Sequence, residues 1–290
     1  MISGYCIGIK NNFAETKFCL ELKKVFFRLI LPYLIWSLLY IILADKLMSP
    51  TRYIATLTLR GLAPLWFLAT LAMCELCFFG FSKLVKKLSN TKKITVMSLI
   101  AVLSILIGFI MQMLKTELDL STETMTKVGY FVFITFGRLF ISLPSYIFGY
   151  ILAKTKLIYK VGKTLSVIIG IVLIAGVSLI VIFSRMRTNC HLFITNQYWL
   201  FTLTALLGAI GIMMIAYTIE KLSLLGYLGQ NSLGIMVLHY IPFKTINHSY
   251  NAVSPIWNNE IFISLAATVL VTAVTMGVIY LVKKKFFLFK

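Results

Sequence analysis

The chain has 290 residues, of which 60% are hydrophobic and only 13% are charged. A water-soluble domain of this length carries about a quarter charged residues and roughly 45–50% apolar ones, so the composition excludes a single soluble globule. The 28 Lys and Arg residues outnumber the 9 Asp and Glu residues, which gives a net charge of +19. Because the basic residues fall in short runs between apolar stretches, they indicate contact with lipid headgroups, and nucleic acid is not expected as a partner.

The first element in chain order, Met1 to Ile9, is apolar but too short to cross a bilayer, and it has no charged leader that would mark a signal peptide. A basic stretch follows, so residues 1–28 are predicted to form a cytoplasmic or interfacial segment. Apolar and charged residues of this segment occupy separate helical faces, namely Phe18, Leu22 and Val25 on one and Glu21, Lys24 and Arg28 on the other. The pattern fits a helix that lies in the headgroup layer and equally the beginning of the first membrane span.

Eight apolar stretches are candidates for membrane spans. They lie at approximately 29–44, 62–81, 94–114, 129–152, 165–183, 198–219, 224–243 and 261–282. The sequence therefore predicts an all-α fold, a polytopic transmembrane bundle over residues 29–282, followed by a basic cytoplasmic tail at 283–290. Every connection is shorter than about twenty residues, too short to bury a core of its own, so residues 1–290 are predicted to form a single membrane domain.

The basic residues are distributed unevenly between alternate connections. With the N-terminus inside, nineteen Lys and Arg residues lie on the inner side and eight on the outer side, the latter including Arg60, Lys115 and Arg187. Because short cytoplasmic loops carry an excess of Lys and Arg, this asymmetry predicts that both termini are inside and that the number of crossings is even.

Two ionisable residues, Glu75 and Arg138, lie inside predicted spans. An Arg or Asp at the centre of a membrane helix costs about 2.5–3.5 kcal/mol on insertion scales, so each is expected to have a partner or a cavity. Both helices would run from outside to inside, and at ~1.5 Å per residue the two positions differ in depth by roughly 6 Å, which long side chains can bridge. We therefore expect a buried Glu75–Arg138 ion pair, which either marks a functional site or only fixes how the helices pack.

A third candidate is His239 in the seventh predicted span. Asn231, Ile235 and His239 share one face of an otherwise apolar helix, which points to a cavity or a neighbouring helix. His239 is accordingly interpreted either as a hydrogen-bonding residue between helices or as a catalyst. His191 and His248 lie in predicted outer loops, where we expect exposed side chains without a role.

Cys74 and Cys77 form a CxxC pair inside an apolar run, without a nearby His or a second CxxC that would complete a zinc site. We interpret them as small packing side chains. Neither a metal nor a disulfide framework is expected.

Several short motifs follow one another along nearly the whole chain. The early ones are Ile2-Ser-Gly-Tyr5 and, after the basic stretch, Arg28-Leu-Ile-Leu-Pro-Tyr33 with Trp36-Ser37. The later ones are Pro64-Leu-Trp-Phe-Leu68 with Glu75, then Gly137-Arg138 leading to Pro144 and Phe148-Gly-Tyr150, then Leu225-Gly-Tyr-Leu-Gly-Gln-Asn-Ser232 leading to Leu238-His239. In this order and spacing the chain resembles the membrane acyltransferase 3 family. It departs from that pattern at Ser145 and Tyr146, where aromatic pairs are common.

The resemblance implies an integral-membrane O-acyltransferase with a ten-helix bundle. Such proteins transfer an acyl group, usually acetyl, from acyl-CoA to a hydroxyl of a sugar, polysaccharide or lipid-linked glycan. The implied partners are membrane lipids, acyl-CoA (acetyl-CoA) as donor and a glycan acceptor, and the implied location is the bacterial cytoplasmic membrane. In the family the first helix carries an arginine and a histidine thought to be the catalytic base. This chain begins at the segment that closes the second helix, so both helices and that base are expected to be missing.

The site residues that follow from these two lines of reasoning are few. His239 and Glu75 are the catalytic candidates, Arg138 is expected to bind an anionic donor or substrate, and Asn231 is expected to line the cavity. Trp66 either stacks on a sugar ring or anchors its helix at the membrane interface. One alternative is a transporter or flippase for a lipid-linked glycan, and another is a regulatory subunit that binds without catalysing.

Overall fold

The computed structural model describes residues 1–9, 16–43, 49–62, 65–117, 126–219, 223–238 and 260–285. Its helices are α1 (Ile2–Ile9), α2 (Phe18–Val25), a π-helical segment (Phe26–Ile30), α3 (Leu31–Leu43), α4 (Pro50–Leu57), α5 (Trp66–Leu84), α6 (Asn90–Glu117), α7 (Lys127–Thr155), α8 (Leu157–Lys160), α9 (Lys163–Ser184), α10 (Tyr198–Thr218), α11 (Ser223–Gln230), α12 (Ser232–Leu238) and α13 (Glu260–Lys285). Two short strands, β1 (Thr188–Asn189) and β2 (Ile194–Thr195), pair antiparallel between α9 and α10. The predicted all-α fold is confirmed.

The helices agree with the predicted spans except at the seventh. Six helical stretches in the described ranges are long and apolar enough to cross a membrane: Phe18–Ile42, Trp66–Leu84, Asn90–Glu117, Lys127–Thr155, Lys163–Ser184 and Tyr198–Thr218. These match the first six predicted spans and differ from them only near their ends. The eighth predicted span lies within α13. The seventh, predicted at 224–243, is not one continuous helix, because α11 ends at Gln230 and α12 begins at Ser232; its last residues, 239–243, lie outside the described ranges.

The amphipathic stretch after residue 17 is continuous with the first span. α2, the π-helical segment and α3 form one uninterrupted helix from Phe18 to Leu43. At the end of the π segment, the Leu31 N–H donates to the Phe26 carbonyl oxygen, five residues back. Of the two interpretations of this stretch, the beginning of the first span is therefore the one that fits. Short π segments inside α-helices are frequent at functional sites, and Arg28 lies in this one.

The chain falls into two compact units. Unit 1 comprises Met1–Leu62 and Trp66–Glu220, and unit 2 comprises Ala63–Leu65 and Lys221–Lys290. In unit 1, helix α7 is central: α1, α5 and α6 all pack against it, and α9 pairs with α10. Buried apolar side chains of α5, α6 and α7, among them Phe78, Met97 and Ile147, form the core between these helices. This packing fixes the positions of α5 and α7, which carry the polar residues Glu75 and Arg138.

Helix α1 packs along α7 through glycines one turn apart. A Cβ atom at Gly4 would lie 1.9 Å from the Tyr146 carbonyl oxygen, and one at Gly8 would lie 2.5 Å from a side-chain carbon of α7. On the other helix, a Cβ atom at Gly149 would lie 2.1 Å from the Met1 carbonyl oxygen. Small residues spaced by four let two membrane helices approach backbone to backbone. α1 is thus an integral part of unit 1.

A β-hairpin formed by β1 and β2 closes one end of unit 1. The side-chain amide of Gln112 on α6 donates to the Thr195 carbonyl oxygen at 3.3 Å. At the tip, Phe193 is only 2% exposed and has a φ of 51°, an uncommon backbone conformation for a bulky residue. Its ring occupies the space left by Gly137 on α7, where a Cβ atom would lie 2.5 Å from the ring. The hairpin tip is therefore packed into the helices.

In unit 2, α12 packs against α13. Gly234 on α12 faces Ile279, because a Cβ atom at that glycine would lie 2.9 Å from the isoleucine side chain. Asn231 stands between α11 and α12, and its side-chain amide donates to the Tyr227 carbonyl oxygen at 2.7 Å. The Asn231 backbone N–H also donates to the carbonyl oxygens of Tyr227 and Leu228, both at 3.2 Å, so the interruption of the seventh predicted span is confined to this residue.

Candidate functional site

The carboxylate of Glu75, near the middle of α5, forms an ion pair with Arg28 of the π-helical segment. The glutamate side chain is 4% exposed, whereas the arginine side chain is 56% exposed. The predicted Glu75–Arg138 ion pair is therefore wrong. The reason is the packing of the helices: the π segment contacts α5 and brings Arg28 to Glu75, while the guanidinium of Arg138 is bonded elsewhere.

Unit 1 contains a cavity of about 330 Å³. Cys74, the residue before Glu75 on α5, is one of its lining residues. Its wall includes Phe67, Thr70, Cys74, Ser142, Ser145 and Tyr146. The Tyr146 hydroxyl is buried and has no hydrogen-bond partner among the described residues. Ligand pockets in proteins typically measure about 300–1,000 Å³ and combine apolar walls with a few polar groups, so this cavity suits a small, mainly apolar group.

Arg138 is 1% exposed and is bonded to backbone carbonyls. Its Nη1 donates to the Arg60 carbonyl oxygen at 2.5 Å, and its Nη2 donates to the His191 carbonyl oxygen. The guanidinium also lies 5.3 Å from the centroid of the Trp66 ring, within the range of a cation–π interaction. The structure thus brings together Arg138 and Trp66, two of the three predicted substrate-binding residues.

Two further basic side chains lie close to Arg138, and we call Arg60, Lys115 and Arg138 the cationic cluster. The guanidinium of Arg60 lies 4.2 Å from the centroid of the Phe131 ring. Lys115 Nζ donates to the carbonyl oxygens of Leu192 and, at 3.1 Å, Phe193. Burial lowers the pKa of Arg60 from its ordinary value, although the group remains a cation near neutral pH. The hairpin end of unit 1 thus concentrates positive charge.

His191, predicted to be an exposed and idle loop residue, is half-buried in the hairpin tip. Its carbonyl oxygen accepts from Arg138, and its Nε2 lies 3.5 Å from the Gly61 carbonyl oxygen. Burial and the neighbouring charge of Arg138 lower the pKa of its imidazole, which is therefore neutral near pH 7. The prediction was wrong because the hairpin folds inward onto α7 instead of extending into solvent.

The other residues singled out in the sequence lie in different parts of the chain. Asn231 lies in unit 2, buried and bonded to Tyr227, and His239 lies outside the described residues. Cys74 is buried and Cys77 half-buried in the apolar core of unit 1. Within the described ranges, no group of three or more His, Cys, Asp or Glu side chains could hold a metal ion.

Sequence reasoning missed the roles of Arg28, Arg60 and Lys115. Arg28 was assigned to the polar face of an amphipathic stretch, and the other two were counted only as outer-loop charges. The positions of Arg60 and Lys115 could have indicated their involvement. Basic residues are less common at the outer end of a membrane span than at the inner end, so their presence there needs a specific explanation.

Six helices in the described part of the chain are long and apolar enough to cross a membrane, which is the architecture of a polytopic membrane protein. Comparison with protein families matches residues 1–283 to the family described as an acyltransferase domain. The chain therefore belongs to the membrane acyltransferase 3 family, as its motifs indicated. The comparisons with curated proteins and with solved structures give no significant match.

Proposed function

We propose that this protein is an O-acyltransferase that moves an acyl group, acetyl in the first instance, from acyl-CoA to a hydroxyl of a sugar, polysaccharide or lipid-linked glycan. Family membership supports acyl transfer as the reaction class. The observation that carries the assignment to a site is the cavity of about 330 Å³ between α1, α5 and α7, which has room for a short acyl group.

The chemistry requires that an acceptor hydroxyl oxygen attack the thioester carbonyl carbon. The C–S bond then breaks, and the hydroxyl proton passes through a base to the departing CoA thiolate. A donor aimed at the carbonyl oxygen would stabilise the negative charge that develops there. The unpartnered hydroxyl of Tyr146 on the cavity wall is suited to this task.

Glu75 and His239 are the two candidates for the catalytic groups. Because Glu75 is paired with Arg28, we assign it to orientation of the site rather than to proton removal. His239 stays the candidate base. We propose that Arg138 and Trp66 bind an anionic part of a substrate and a sugar ring, respectively, and that Asn231 lines a cavity.

The test is acetyl transfer from labelled acetyl-CoA to envelope glycans in membranes that contain the protein. Ser142→Leu would fill the cavity, and we expect it to lower the transfer rate at least about tenfold, or ~1.4 kcal/mol in activation free energy. The matched control is Ser178→Leu, since Ser178 lies on an exposed face of α9 and bonds only its own helix, at Ile174 O.

The control should insert and transfer normally. Equal transfer by the two variants would remove the cavity from the reaction. If the unaltered chain gives no labelled product in membranes where it is folded, the proposal does not hold for this chain.

A further inference from the structure

The members of the cationic cluster come from three parts of the chain and meet at the hairpin end of unit 1. Arg60 belongs to the loop before α5, Lys115 to the last turn of α6 and Arg138 to α7. Together, Arg138 and Lys115 bind three consecutive carbonyl oxygens of the hairpin tip, those of residues 191–193. The link to Arg60 is direct, because Arg138 donates to its carbonyl oxygen.

The positive charge of the cluster is not matched by carboxylates in the described part of the chain. The ion pairs found there are Lys24–Glu21 and Arg28–Glu75, and neither includes a member of the cluster. Carbonyl dipoles satisfy hydrogen-bond donors but do not cancel net charge. Because removing an ion from water costs several kcal/mol, buried cations are expected to have an anionic partner.

Two nitrogens of the cluster also lack acceptors. The Nε atoms of Arg60 and Arg138 are buried without a hydrogen-bond partner among the described residues. The flat face of each guanidinium is already covered, by Phe131 and Trp66 respectively. The N–H edges are the part of an arginine that recognises phosphate and carboxylate oxygens. The missing partner is therefore an anion with several oxygens in one place.

We propose that the cationic cluster binds the phosphate or diphosphate group of a substrate of acyl transfer. Phosphate oxygens match the two unpaired Nε–H groups and neutralise the charge that the hairpin carbonyls leave uncompensated. In assigning this phosphate to a participant in acyl transfer, the proposal rests on the proposed function. The two sources with this chemistry are the CoA part of the donor and the phosphate linker of a lipid-linked acceptor.

Binding at the cluster requires the hairpin tip to move. Both Nε atoms are sealed from solvent, and the carbonyls of residues 191–193 occupy the terminal nitrogens of Arg138 and Lys115. Phe193 is held at a positive φ of 51°, so the tip is in an unfavourable backbone conformation that its packing and its hydrogen bonds maintain. The tip covers the cluster in the structure, so an anion that binds there competes with its carbonyls.

The experiment measures binding by calorimetry to the full chain in detergent micelles, with inorganic diphosphate, geranyl diphosphate and CoA as probes. Arg60→Gln and Lys115→Gln should each weaken binding at least about tenfold, the equivalent of ~1.4 kcal/mol. The control, Arg187→Gln, removes the same charge from an exposed position beside β1 and should change the affinity less than about twofold. Arg60→Lys keeps the charge and should retain part of the affinity, which separates binding from a folding defect.

Hydrogen exchange supplies the second readout. Geranyl diphosphate or CoA should speed exchange of the backbone amides of residues 188–195, because the tip leaves its packed position. Tighter binding of geranyl diphosphate than of CoA assigns the site to the acceptor, and the reverse order assigns it to the donor; both orders support a phosphate site.

The proposal is overturned if no probe binds, or if the three glutamine variants weaken binding equally. Binding without faster exchange in the hairpin would overturn the movement of the tip. Acyl transfer is scored separately: phosphate binding without transfer would refute the proposed function alone, and transfer without binding at the cluster would refute this site alone.

Discussion

At the level of single residues, the Arg28–Glu75 ion pair is asymmetric. The side chain of Glu75 on α5 is almost completely buried, whereas more than half of the Arg28 side chain is exposed. An arginine that loses its partner can carry its guanidinium along the membrane to the headgroup layer. A buried glutamate on α5 cannot move in this way, so removal of the arginine leaves its carboxylate buried without an ionic partner.

This asymmetry predicts unequal effects for two changes that each remove one charge of the pair. Arg28→Gln should destabilise the protein by about 3–5 kcal/mol, the usual cost of leaving one member of a buried pair alone. Glu75→Gln should cost about 1 kcal/mol, close to the net value of one hydrogen bond. Thermal unfolding in micelles measures both effects. The double variant should be more stable than Arg28→Gln alone, since it restores two neutral partners. Equal losses for the two single changes would contradict the burial difference.

That Glu75 and Arg138 need bonded partners could be predicted, because a charge within an apolar run is visible in the sequence, and the structure gives each of them partners. Their partners could not be predicted in the same way. Arg138 is satisfied by carbonyls of Arg60 and His191, and any residue type can supply a carbonyl. The pairing of Glu75 with Arg28 depends on which helices touch, which an apolar pattern does not encode.

At the level of elements, α1 and α7 approach each other backbone to backbone. Built Cβ atoms at Gly4 and Gly149 fall 1.9 Å and 2.1 Å from carbonyl oxygens of the opposite helix. A real Cβ atom at either position would clash with these oxygens. The oxygens belong to the backbone, which cannot move aside as a flexible side chain can. Because Met1, Ser3 and Tyr146 of these helices line the cavity, the spacing of α1 and α7 also sets its width.

A single methyl group should therefore separate the two helices. Gly4→Ala or Gly149→Ala is expected to destabilise the protein by about 1–3 kcal/mol through overpacking. The matched control is Gly176→Ala on α9, where a Cβ atom would meet nothing within 4 Å. The control should be neutral or gain up to about 1 kcal/mol, because Ala favours a helix over Gly. Thermal unfolding of the three variants in one detergent tests this, and equal stability throughout would argue against the close packing of α1.

The long helices could be predicted from the length and hydropathy of their sequences. Features that depend on local hydrogen bonds could not be predicted. The six long apolar stretches form helices because unpaired backbone groups are too costly in lipid. The π segment at Phe26–Ile30, the hairpin at 188–195 and the break at Asn231 each depend on contacts of a few backbone groups. Hydropathy carries no information about such contacts.

At the level of the whole molecule, alternating helices should place alternate connections on opposite sides of the membrane. In unit 1 the loop at Arg60, the end of α6 at Lys115 and the hairpin between α9 and α10 are joined by hydrogen bonds at one end. These are connections that the distribution of basic residues assigns to the outer side. In that orientation the cationic cluster lies on the outer side of the membrane.

Single cysteines at two exposed positions test this arrangement. Lys86 follows α5 and Arg187 follows α9, so α6, α7 and α9 separate the two sites, and three crossings put them on opposite sides. In a variant without the five native cysteines, we expect a membrane-impermeant maleimide to label Arg187→Cys in intact cells, and Lys86→Cys only after permeabilisation. Retained acyl transfer would show that each variant is folded. The reverse pattern would turn the cluster towards the cytoplasm and favour CoA as the source of its phosphate. Labelling of both sites from one side would mean that α6, α7 and α9 do not all cross the membrane. The assignment of spans would then have to change.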